Sequence, residues 1–180
     1  MLKEIKDVRD RLFKWEEDLW KLNVWDLIKS TRDWFDYYQK DQDPEAMVEL
    51  YWKLIDEERE EIQVASREWD MIEFLDWVID YVWVTIWFMH FWAKANWTSD
   101  DEEVNKRIWQ TAILILWGSF IDWDVIKLAW LEIAYSNWTK SLELRDDSDE
   151  EWKVWKVIKG KWYKKPNLKK VFKALKSVEK

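Results

Sequence analysis

The sequence predicts an all-α protein: an antiparallel helical bundle, with an acid-bearing helix pair and a basic C-terminal tail. Three observations predict it. Apolar residues recur at three- and four-residue spacing through most of the chain. The breaks between these segments are short, which favours antiparallel neighbours. No internal repeat and no low-complexity linker interrupts the pattern.

The elements follow in order. Leu2 to about Trp20 reads as a charged amphipathic helix with Ile5, Val8, Leu12, Trp15 and Leu19 on one side. Val24 to Gln39 reads as a second, with Leu27, Ile28, Trp34, Phe35 and Tyr38 as its stripe. Asp43-Pro44 is a helix start, with Asp43 as N-cap and Pro44 in the first turn. That helix is expected to reach about Ser66, and the next to run from about Asp70 to Ala95. Ser99-x-x-Glu102 has the form of a capping box and opens a helix through Trp117. Gly118 to Asp122 turns the chain, and Asp124 to about Leu144 is helical. Arg145–Asp149 is a charged loop. Residues 150–166 lack a helical period and read as a small hairpin or an extended arm. Pro166-Asn167 then starts a short basic helix with Leu168, Val171, Phe172 and Leu175 apolar. The expected organisation is N-terminal helices over 1–43, a helical core over 44–144 and a basic tail over 145–180.

Composition excludes several chemistries. There is no Cys, so disulfides, thiolate catalysis and Cys-based zinc sites are out. The single His, His90, cannot make a multi-histidine metal site. It lies in an apolar helix face and reads as a packed core or interface residue. The net charge of −8 argues against nucleic acid as a partner. The charge is uneven: residues 151–180 hold 11 Lys against 2 Glu, while residues 1–150 are strongly acidic. A basic tail beside an acidic body can dock on that body, on a second subunit or on an anionic ligand. The longest apolar run, Tyr81–Ala93, is short of the roughly 20 residues that span a bilayer. The first residues are too charged for a signal peptide. The expectation is a cytoplasmic protein that does not associate with membranes.

One imbalance stands apart. The chain has 19 Trp and 2 Gly, where average usage gives about 13 Gly. Several Trp stand where turn chemistry favours glycine, as in Asn96-Trp97, Asp122-Trp123 and Glu151-Trp152-Lys153-Val154-Trp155. Some bacterial lineages read UGA as glycine, and a standard alternative table prints it as tryptophan. The sequence therefore carries the expectation that many of these Trp are glycines in the native protein.

The chemistry concentrates between Leu54 and Val84. Two acidic clusters, Glu57-Glu58-x-x-Glu61 and Glu73-x-x-Asp76-x-x-x-Asp80, lie within apolar helical patterns. At about 100° per residue, Glu58 and Glu61 share a face, and so do Glu73, Asp76 and Asp80. Folding the chain at about residue 68 puts Glu61 level with Asp76 and Glu58 near Asp80, so the two faces converge. A run such as Glu57–Glu61 is also what a solvated helix face looks like. Asp76 and Asp80, however, sit among Ile72, Phe74, Leu75, Val78, Ile79 and Val82, where acids without partners are costly. Converging carboxylates raise one another's pKa, and a hard divalent cation removes that repulsion. Oxygen-only ligands favour Mg²⁺ or Mn²⁺, which are usually shared with substrate phosphates. Glu58, Glu61, Asp76 and Asp80 are the expected ligands. Glu57 or Glu73, left outside that set, is placed to take a proton from an attacking water. Trp77, four residues after Glu73, borders this face, where a small residue belongs.

These motifs resemble the MazG-like all-α nucleoside triphosphate pyrophosphohydrolases, and most closely the phage-type branch related to phosphoribosyl-ATP pyrophosphohydrolase. That family carries EExxE followed by ExxD, with four acids on Mg²⁺. Asp80, followed by Tyr-Val-Trp-Val, aligns best with the family's Asp, and Glu73 and Asp76 are both candidates for its partner. Ser136-Asn137-Trp138-Thr139-Lys140 resembles the branch's SNxSK stretch. Glu150-Glu151-Trp152-Lys153, Lys159-Gly160 and Tyr163-x-x-Pro166-Asn167-Leu168 resemble its tail. The resemblance covers roughly residues 44–170. It implies hydrolysis of a nucleotide to monophosphate and pyrophosphate, and a homodimer or homotetramer. It also implies Asn137 and Lys140 facing the phosphates or base, with Lys159 closing over the site. The alternatives are the phosphoribosyl-ATP step of histidine synthesis and a non-catalytic helical module that binds nucleotide or oligomerises.

Overall fold

The computed structural model describes residues 26–28, 31–32, 42–96, 102–140 and 163–176. All regular structure among them is α-helical. Five helices follow in order: α1 Pro44–Glu68, α2 Met71–Ala95, α3 Glu102–Gly118, α4 Trp123–Trp138 and α5 Leu168–Lys176. Residues 26–28 and 31–32 are also helical, in agreement with the helix expected over Val24–Gln39. The first predicted helix, Ser99 of the capping box, the Arg145–Asp149 loop and most of the 150–166 segment lie outside the described residues.

The local chemistry explains the boundaries. Asp43 caps α1, accepting a hydrogen bond from the Ala46 N–H, and Pro44 supplies the first turn. Only Trp69 and Asp70 connect α1 to α2. Trp69 is left-handed (φ 57°, ψ 26°) and ends α1. Asp70 then caps α2, its carboxylate accepting from Ile72 N at 3.0 Å and Glu73 N at 3.1 Å. Asp122 caps α4 through Asp124 N at 2.8 Å. Asp122-Trp123 is therefore a helix start and not an Asp-Gly turn, and the only described non-glycine residues with positive φ are Trp69 and Phe120. α4 ends at Trp138, short of the expected Leu144. There the Thr139 hydroxyl donates to the Ser136 carbonyl at 2.7 Å and accepts from Lys164 N at 2.8 Å. Such local side-chain bonding competes with helix continuation.

α1 and α2 pack most extensively. Tyr51 stacks on Phe91 with ring centroids 6.0 Å apart, and Trp52 lies against Phe88 at 5.4 Å. Side chains near the start of α1 thus meet side chains near the end of α2, which makes the pair antiparallel. α2 is the hub. It also touches α3, α4 and α5, with Trp83 against Trp130 of α4 at 6.4 Å. That is why it is apolar on most of its circumference: Leu75, Val78, Ile79, Val82, Trp83, Ile86, Trp87 and Phe91 are all buried. Each such side chain contributes about 1.5–3 kcal/mol by leaving water. α4 is buried from Leu128 through Trp138. No helix among the described residues is long and apolar enough to cross a membrane.

Candidate functional site

The acids of the two clusters occupy both arms of the α1–α2 hairpin. Glu57, Glu58 and Glu61 on α1 and Glu73, Asp76 and Asp80 on α2 are all half-buried. Burial is deepest at Glu58 Oε2 and Asp76 Oδ1, both closed off from solvent. Glu73 lies in the first turn of α2, where a negative charge suits the helix N-terminus. Trp77 is half-buried on the same helix.

The Tyr51–Phe91 and Trp52–Phe88 contacts have their midpoints at residues 71 and 70, next to the two-residue turn and close to the expected fold point of about 68. Both arms thus carry their acids towards the turn end of the hairpin, Glu57, Glu58 and Glu61 before it and Glu73, Asp76 and Asp80 after it. Among the described residues, no group of three or more His, Asp or Glu is gathered to hold a metal ion. The donor chemistry nevertheless fits a hard divalent cation: carboxylates from two helices, two of them with an oxygen shielded from water.

The other expected site residues belong to a second region, where α4 meets the C-terminal segment. Asn137 is buried, 6 % exposed, and its carbonyl accepts the Lys140 N–H at 3.0 Å. Lys140 is half-buried just beyond the helix. Lys159 lies outside the described residues. Around them the structure adds polar groups that sequence reasoning missed. Lys164 Nζ donates to the Tyr135 hydroxyl at 3.2 Å and stands 5.7 Å from that ring's centre. Glu132, buried on α4, pairs with Lys170 at 3.9 Å. The spacing of Glu132 and Tyr135 on one helix face, against a basic segment, was the available signal.

A third polar group surrounds His90. Arg32 Nη2 lies 3.4 Å from His90 Nδ1, and Arg32 Nη1 donates to Asn105 Oδ1. The ring packs edge-on against Trp87 and Phe91. Burial, then the positive charges of Lys94 and Arg32, push the His90 pKa down to about 3. Near neutral pH it is an uncharged packing residue.

Comparison of the chain with protein-family models, with characterised proteins and with solved structures finds no match.

Proposed function

We propose that the chain is a Mg²⁺-dependent nucleotide pyrophosphohydrolase, built as an antiparallel helical bundle, that converts a nucleoside triphosphate or related nucleotide to its monophosphate and pyrophosphate. One observation supports this reading: half-buried acids stand on both arms of a tight helical hairpin, with Glu58 Oε2 and Asp76 Oδ1 closed off from solvent. The motif resemblance supports it independently.

A divalent cation held by these acids would supply charge neutralisation on the phosphates and a positioned water. The chain supplies the rest. Glu58 and Glu61 of α1 and Asp76 and Asp80 of α2 are the proposed ligands. Glu57 or Glu73 accepts the proton of the attacking water. Asn137, Lys140 and Lys159 are the proposed contacts to phosphates or base. The working unit is proposed to be a homodimer or homotetramer.

That no three acids are gathered among the described residues favours a second reading, a helical module that binds nucleotide or oligomerises without turnover. Pyrophosphate release from a panel of dNTPs, NTPs and phosphoribosyl-ATP, with and without Mg²⁺, separates the two. Release from phosphoribosyl-ATP alone would assign the histidine-synthesis step. No release from any substrate would eliminate the enzyme.

A further inference from the structure

We infer that residue 69 of the native protein is glycine, and that the tryptophan at this position is a glycine codon read as tryptophan. The ground is the α1–α2 turn. Residue 69 is the first beyond α1, and its N–H donates to the Ala65 carbonyl. The N–H of Asp70 donates to the same carbonyl at 3.2 Å. This is the glycine-terminated helix end, in which a left-handed residue lets the next N–H reach back to the final turn. The backbone at 69 is left-handed, φ 57° and ψ 26°. Any Cβ is strained there, while glycine adopts the conformation freely.

A tryptophan is tolerated at a strained position when its ring is packed. Here the indole is 85 % exposed, so no packing offsets the strain. Phe120, also left-handed and exposed, shows that backbone conformation alone does not identify a glycine. Residue 69 differs in two respects. It stands at the helix-terminating position with both reach-back hydrogen bonds. It is also a Trp, the residue type present 19 times against 2 Gly.

The consequence reaches the acidic clusters. A two-residue connection constrains the register of α1 against α2, so residue 69 helps set which carboxylates lie level across the hairpin. The inference rests on the turn and the composition alone, and stands or falls separately from the proposed activity.

Tandem mass spectrometry of the protein isolated from its own cells, across residues 67–71, tests it directly. Glycine at 69 is expected, and tryptophan there overturns the inference. The codon is a second, independent readout: UGA is expected and UGG overturns it. The conformational ground is tested on the recombinant 180-residue chain with Trp69→Gly and Trp69→Ala. The glycine variant should melt about 2–8 °C above the tryptophan form, and the alanine variant, strained like tryptophan, should not reach it. A glycine variant that melts at or below the tryptophan form would remove the conformational ground.

Discussion

At the scale of single residues, His90 makes the most definite prediction. Its folded pKa is depressed from 6.5 to about 3. The unfolded chain therefore binds a proton between those values that the folded chain refuses, and stability falls as pH drops from about 6.5 towards 3. His90 is 4 % exposed, its face covered by Trp87, Phe91 and Arg32. The effect should be on the order of a few kcal/mol at its full extent. His90→Phe keeps the ring and removes the titration, so its urea midpoint should depend less on pH between about 6.5 and about 4 than that of the parent. Equal slopes would mean that His90 is not the group responsible. The carboxylates are tested by isosteric change. Glu58→Gln and Asp80→Asn should each lower pyrophosphate release by at least about 100-fold, with helical circular dichroism unchanged. Full turnover in both variants would exclude the acidic clusters as the site.

At the scale of elements, the caps decide how much could be read in advance. Asp43-Pro44 announced α1 because the cap and the first-turn proline are adjacent in sequence, and the structure starts α1 at Pro44. The starts of α2 and α4 were legible to within a residue from the apolar period, but their caps were not: Asp122-Trp123 read as a turn, whereas Asp70 and Asp122 accept hydrogen bonds from N–H groups two residues ahead. The end of α4 was not legible: it falls at Trp138, where the Thr139 hydroxyl bonds both the Ser136 carbonyl and the N–H of Lys164, 25 residues away. The six candidate acids were legible as residue types on two helices. Which of them lie level was not, because a shift of the fold point by about two residues moves each facing pair by about one helical turn. A periodic pattern alone does not fix that number. The double cap at Asp70 carries a prediction of its own. Asp70→Ala leaves the Ile72 and Glu73 N–H groups to water and should cost about 1 kcal/mol, and Asp70→Asn should recover most of it. Chemical denaturation measures both. An alanine variant as stable as the parent would show that the turn is held by other contacts.

At the scale of the whole molecule, the charge asymmetry has a partner inside the chain. The described part of the basic C-terminal segment docks on α4 and α2. Two forces can hold it there. Charge is one: Lys170 faces Glu132, but at 3.9 Å, with the lysine side chain 41 % exposed. The distance is long and the lysine end is solvated and screened by salt, so the attraction is modest even though the Glu132 side chain is only 5 % exposed. Apolar burial is the other: Leu168 and Val171 are buried against the body, and Leu→Ala at such a site costs about 2–5 kcal/mol. The apolar force is the larger. Leu168→Ala should therefore lower the melting temperature by roughly 5–15 °C. Raising the salt to about 1 M, where screening acts within about 3 Å, should leave the segment docked. Protection of its lysines from trypsin reports docking in both experiments. A segment that becomes cleavable in high salt, in a chain whose Leu168→Ala variant stays protected, would reverse the ranking and assign the docking to charge.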